Sequence, residues 1–284
     1  MMESLDAGST LDLDVAGVVL RLRVGDADIV RRLGLRFGPF LRTAPPEGAG
    51  PPDLQLELLE LRPHPGPPCS PMLDLRFEQG QLHLAHPRLE ACVDARAGRA
   101  RMRLAADEPL ADLDYLLRVC CALAVFERGG LMLHAAALVD GMTAQVFFGP
   151  SGSGKTSLAR RADGRRVLND DLVVVMPGPM GIWQAHASPF SNPSQVQPEG
   201  PGGAPLAGLF RLDRAEAPRL EPMRPAEAIA SLLASTPVVG LDPSRLPALM
   251  QRLAALVAAC PPQRLFASMD ARTWETLGSP APRA

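Results

Sequence analysis

Apolar and polar residues alternate with a period of two through residues 11–24 (LDLDVAGVVLRLRV), with one interruption at Ala16-Gly17. Successive side chains of a strand face opposite sides of a sheet, so this stretch predicts two strands joined by a turn. A Pro/Gly-rich run, residues 43–52, then breaks the pattern. Strand-like runs return at residues 54–61, 72–77, 82–85, 89–93 and 100–104, separated by turn signals such as Gln79-Gly80 and Ala97-Gly98. The period changes after residue 105. Leu110, Leu113, Leu117, Cys121 and Ala124 recur at helical spacing. Asp107 is placed to cap that helix, Glu108 and Pro109 suit its first turn, and Gly129-Gly130 ends it. Residues 1–105 therefore read as a small β-rich unit, and residues 106–284 as a second domain.

Within that second domain an apolar strand over residues 131–139 meets the turn signal Asp140-Gly141 and a second strand over residues 143–148. With Asp140 and Gly141 as the two loop residues, Val139 faces Met142 and His134 faces Phe147. The chain then enters Gly149-Pro-Ser-Gly-Ser-Gly-Lys-Thr156 and a short helix over residues 155–162. Asp163-Gly164 turns the chain, and a strand over residues 166–176 follows, interrupted by Asn169-Asp170-Asp171. Residues 177–205 are rich in Pro, Gly and Ser and too long for an ordinary connection, so they read as a functional or mobile loop. Further elements are a strand at 206–212, helices at 225–234 and 247–259, a strand at 263–267 and a closing helix at 270–277. An antiparallel hairpin running straight into a glycine-rich loop predicts a mixed sheet, unlike the helix-linked parallel sheet in which such loops usually occur.

Composition adds limits. Apolar residues make up 46% of the 284, enough for a real core, and the net charge of −2 offers no general attraction to nucleic acid or anionic membranes. No window has the length and apolarity of a membrane span. The start, MMESLDAGSTLDLD, is acidic and unlike a secretory leader. Cys69, Cys92, Cys120, Cys121 and Cys260 show no Cys-x-x-Cys spacing, and Cys120-Cys121 suit a helix core. Together these predict a reduced, soluble, cytoplasmic protein. His64, His83 and His86 read as surface or turn residues.

Of the 29 Lys plus Arg residues, 28 are arginine, and the single lysine is Lys155. It falls in the lysine slot of a complete Walker A pattern. There the glycines Gly149, Gly152 and Gly154 let backbone amides curl around phosphates, together with Ser151, Ser153, Thr156 and Ser157. A compact ammonium fits between phosphate oxygens where a planar guanidinium does not. Thr156 can place its hydroxyl on Mg²⁺. Asp170 and Asp171 sit on the returning strand, where one carboxylate can activate an attacking hydroxyl and the other, assigned to Asp171, can hold the metal with Thr156. Neighbours on a strand face opposite ways, so both can act only if the backbone bends there. His134 is brought near the phosphates by the hairpin, with a carboxylate of the Asp pair as its natural partner. These residues point to ATP and Mg²⁺ as cofactors and to Asp170, Asp171, His134 and Lys155 as catalytic groups.

Residues 133–175 resemble the core of the HPr serine kinase/phosphorylase family, through Leu133-His134 and Asp140-Gly141, the Gly149–Thr156 loop, and Val167-Leu168-Asn169-Asp170-Asp171. The remainder to about residue 277 is more loosely similar to short HPr-kinase-related members, with Ser188-Pro189-Phe190-Ser191 after the Asp pair. The resemblance implies a phosphoenolpyruvate-carboxykinase-like P-loop domain of the α+β or α/β class, an active site at His134, Asp170 and Asp171, and allows a homo-oligomer. The family's second glycine-rich signature has no counterpart here. The expected activity is ATP-dependent phosphorylation of a hydroxyl, a serine on a peptide or small protein or a small-molecule alcohol. The alternative is a non-catalytic ATP-binding accessory or regulatory protein.

Overall fold

In a computed structural model, residues 9–42, 51–63, 73–268 and 271–278 are described. They form two compact units, one reaching Arg128 and taking in Leu241–Ser244, the other formed by Gly129–Gly240 and the chain from Arg245. The turn-rich run at 43–50, His64, Cys69, Met72 and Asp270 lie outside the described residues.

The N-terminal unit contains β1 (Ser9–Val15), β2 (Val18–Val24), α1 (Ala27–Phe37), β3 (Leu41–Arg42), β4 (Leu54–Arg62), β5 (Asp74–Glu78), β6 (Gln81–His86), β7 (Leu89–Asp94), β8 (Arg99–Ala105) and α2 (Pro109–Glu127). Its strands form one sheet in the order β3-β1-β2-β4-β8-β7-β6-β5. The pairs β2–β4 and β4–β8 are parallel, and the other neighbours antiparallel. Alternation places Val18, Leu20, Leu22 and Val24 of β2 in the core. The helix α1 is absent from the sequence-based expectation, although it carries standard signals: Asp26 accepts hydrogen bonds from the Asp28 and Ile29 amides, and Ile29, Leu33 and Phe37 are buried one turn apart. Asp107 does not cap α2. Its carboxylate accepts instead from Arg88, at 2.6 Å, and the residue at the cap position, Glu108, makes no side-chain capping bond. The helix packs on β2, β4 and β8, so the compact N-terminal unit extends to Arg128, past the expected boundary at 105.

The C-terminal unit contains β9 (Leu131–Asp140), β10 (Thr143–Phe148), α3 (Lys155–Arg160), β11 (Arg166–Asn169), β12 (Leu172–Pro177), β13 (Trp183–His186), β14 (Gly203–Arg214), β15 (Arg219–Pro222), α4 (Pro225–Ala234), α5 (Leu246–Ala259), β16 (Gln263–Ala267) and α6 (Ala271–Leu277). Its sheet runs β10-β9-β12-β13-β14-β16-β15, with β11 also on β9, and β10 pairs in addition with β14. That last pairing is parallel and closes β9, β10, β14, β13 and β12 into a five-strand barrel of mixed orientation. Strand β13 lies inside the stretch expected to be a loop, and β15 has no counterpart in the expectation. Phe147 anchors the core, stacking on Phe210 with centroids 5.4 Å apart and meeting Trp274 edge-on at 6.1 Å.

The hairpin β9–β10 forms two residues out of the expected register. Asp140 pairs with Thr143, Val139 with Ala144, and Phe147 with Ala136, so the loop residues are Gly141 and Met142. Only Gly141 has positive φ, 58°. A turn with glycine at its first central position is of the II′ kind, so Gly141 takes that position and Asp140 stays in the strand. A slip of two residues keeps every side chain on its face. His134 lies beyond the end of the β10 pairing and instead pairs with Leu172 of β12. Among the described residues no helix is long and apolar enough to cross a membrane.

Candidate functional site

The glycine-rich loop starts where β10 leaves the barrel. Gly149 has φ 143°, where a side chain is strained, and a Cβ there would crowd the Leu212 carbonyl of β14 at 3.0 Å. Gly152 (φ 78°) and Gly154 (φ 109°) complete the reversal into α3. Lys155 is only 6% exposed, and its Nζ donates to the carbonyls of Gly149 (2.8 Å) and Pro150 (3.1 Å). An ammonium has three donors, so one remains for a ligand. Burial lowers the Lys155 pKa, while the Asp171 carboxylate opposes that shift. The Ser153 hydroxyl is buried and unbonded.

The bend required for both aspartates to act is built by Asn169. Its Oδ1 accepts from the Asp171 amide (2.6 Å) and the Leu172 amide (2.9 Å), which breaks the strand between β11 and β12. Its Nδ2 donates to the Ser188 carbonyl (2.8 Å) and the Phe190 carbonyl (3.1 Å). One fully buried amide thus fixes the Asp pair and the Ser188–Phe190 segment together.

The two carboxylates then meet different surroundings. Asp170 is 1% exposed and neither of its oxygens makes a hydrogen bond of normal geometry. Burial raises its pKa, and the nearby Val196 amide and Thr156 hydroxyl only partly oppose this. Asp171 accepts from Asn192 Nδ2 at 3.3 Å and lies 3.7 Å from His134 Nε2. The His134 amide is held by the Ser235 carbonyl at 2.7 Å, and its half-exposed ring is neutral at pH 7, since burial and then the Lys155 charge lower its pKa against the pull of Asp171.

A cavity of about 430 Å³ gathers these groups. It is lined by His134, Ser151, Gly152, Gly154, Lys155, Thr156, Ser157, Asp170 and Asp171. Of the expected site residues, Gly149 and Ser153 lie in the loop without lining it. Three further residues line it that the sequence did not single out: Asn192, Gln195 and Arg214. Asn192 and Gln195 belong to a polar turn in which the Asn192 amide donates to Gln195 Oε1 (2.5 Å) and Gln197 Nε2 to the Asn192 carbonyl (2.9 Å). The guanidinium of Arg160 on α3 donates to the Ser194 carbonyl of the same turn. The signal for this turn was its run of amide side chains; Arg214 had none without the strand order.

Glycine-shaped backbone, a half-satisfied ammonium and two carboxylates of unequal environment suit a phosphate chain and a hard cation. Among the described residues no three His, Cys, Asp or Glu side chains form a metal cluster. Asp170 and Thr156 fit a cation that keeps water and shares its ligands with phosphate, as Mg²⁺ does. The orphaned oxygens of Asp170 are the observation behind that fit. Compared with known proteins, the chain matches no family model and no curated protein.

Proposed function

We propose that this chain is an ATP-dependent kinase that transfers the γ-phosphoryl group to a hydroxyl, and that its C-terminal unit is a P-loop domain related to the short HPr-kinase-like proteins. The observation that carries the reading is the split of the Asp pair beside the Lys155 loop: both carboxylates line the cavity, but Asp170 lies next to Thr156 with no hydrogen bond of normal geometry, whereas Asp171 accepts from Asn192 and faces His134.

The loop amides and Lys155 hold the β- and γ-phosphates. The cation, given to Thr156 and Asp171 from sequence, is reassigned to Thr156 and Asp170, because Thr156 lies beside Asp170. Bound Mg²⁺ supplies neutralisation of phosphate charge. Asp171 takes the proton of the acceptor hydroxyl as its oxygen bonds to the γ-phosphorus. The bond from that phosphorus to the bridging oxygen breaks, and its electron pair leaves with ADP. Neutral His134 keeps the acceptor side free of a second cation, and Asn192 orients Asp171. Asn169 holds both carboxylates in place.

The test is transfer of label from γ-labelled ATP, with Mg²⁺, to serine peptides, small proteins and small alcohols. Asp171→Asn should slow transfer by roughly 10²–10⁴-fold, the usual contribution of a general base, while ATP affinity stays near that of the unaltered protein. Normal turnover by Asp171→Asn overturns the mechanism. Bound ATP that stays intact with every acceptor would instead identify a nucleotide-binding accessory protein.

A further inference from the structure

Arg214 is the last residue of β14, the strand that runs parallel to β10 with Phe148 opposite Arg211. The Leu212 carbonyl abuts Gly149, so Arg214 lies two residues past the point where the glycine-rich loop leaves the barrel. Residues two apart share a strand face. Phe210 and Leu212 pack with Leu158 of α3 in one cluster, which assigns Arg214 to the α3 side of the sheet. There it lines the same cavity as Lys155 and Thr156.

The neighbouring arginines are committed elsewhere. Arg211 pairs with Asp213 at 2.5 Å, and Arg264 pairs with Asp213 and Glu227. The exposed side chain of Arg214 has no hydrogen bond or ion pair with any described residue, its backbone alone pairing with Ala267 of β16. A guanidinium in a polar cavity with no carboxylate of its own is a ready partner for an anion, and its planar fork suits phosphate oxygens.

Strand order tells which phosphate. His134 and Asp171 belong to the β9–β12 flank of β10, and Arg214 to the β14 flank. In-line transfer puts the attacking and leaving oxygens on opposite sides of the γ-phosphorus. We infer that Arg214 is a second cation of the site that binds the α/β-phosphates of the nucleotide on the leaving-group side, away from the acceptor. This rests on the kinase reading above.

The test is calorimetric titration of the full chain, with Mg²⁺, by ATP and by ADP. Arg214→Ala should weaken both nucleotides alike, by about tenfold or more, as expected for a charge-assisted phosphate contact. Arg214→Lys should recover part of the loss, and the KM for the acceptor should not change. Unaltered ADP binding by Arg214→Ala, or a raised acceptor KM alone, overturns the inference and leaves the kinase reading standing. A wild-type chain that binds neither nucleotide overturns the kinase reading itself.

Discussion

A carboxylate with 1% exposure and no normal hydrogen bond, as at Asp170, is disfavoured as an ion, which is why its pKa is raised. The linkage has a definite sign. Between the ordinary carboxylate value and the raised one, the folded chain binds more protons than the unfolded chain, so folding stability falls as pH rises through that window. Above the raised value the ligand-free protein carries that penalty in full. Asp170→Asn should therefore raise the melting temperature at pH 7.5 by roughly 2–4 °C, the shift that about 1 kcal/mol gives in a domain of this size. The difference should shrink toward pH 4, and the same variant should lose Mg²⁺-dependent transfer. A lower melting point at pH 7.5 would contradict this account of Asp170. At this scale much of the candidate site was legible, because Gly149–Thr156 and Asn169–Asp171 each carry their chemistry within a few consecutive residues. Asn192 and Arg214 were not legible, since only the folded strand order brings them to the cavity.

Asn169 joins two elements, bending the chain between β11 and β12 and gripping the Ser188–Phe190 segment. Asn169→Ala would leave two buried amides and two carbonyls without that partner, and should cost at least about 2–4 kcal/mol in urea unfolding, since each buried group left unpaired costs about 1–3 kcal/mol. A loss below about 1 kcal/mol would mean that the bend is held by something else. The Asn-Asp-Asp break was visible in the sequence, whereas its partners at 188 and 190 were not, since they depend on where β13 returns. The hairpin illustrates the limit of local signals. Asp140-Gly141 marked the turn correctly, but glycine can supply positive φ at either central position, and the structure uses Gly141 first. Because the resulting slip is even, His134 kept its face and its place near the site. The short α1 has no counterpart in the sequence-based expectation, although Asp26, Ile29, Leu33 and Phe37 signal it.

At the scale of the whole molecule, the parallel β10–β14 pairing joins Ala144 to Leu206 across three intervening strands, and no periodicity announces it. The mixed α/β class was legible, since runs of period two and of helical spacing are each local; the closure of the barrel was not. The division at Arg128 likewise depends on α2 packing, which its apolar spacing alone does not direct to one sheet. With β9 and β14 on its two sides, β10 gives the glycine-rich loop a root that cannot move without opening the barrel. That has a practical consequence through the single lysine. A protease that cuts only after lysine has one target in 284 residues, and that target is buried with its amine tied to Gly149 and Pro150. Cleavage into fragments 1–155 and 156–284 should therefore follow barrel opening, stay undetectable while the barrel is intact, and slow further in the presence of ATP and Mg²⁺. Having arginine at every basic position but one leaves this chain with a built-in, single-cut clock for its own unfolding.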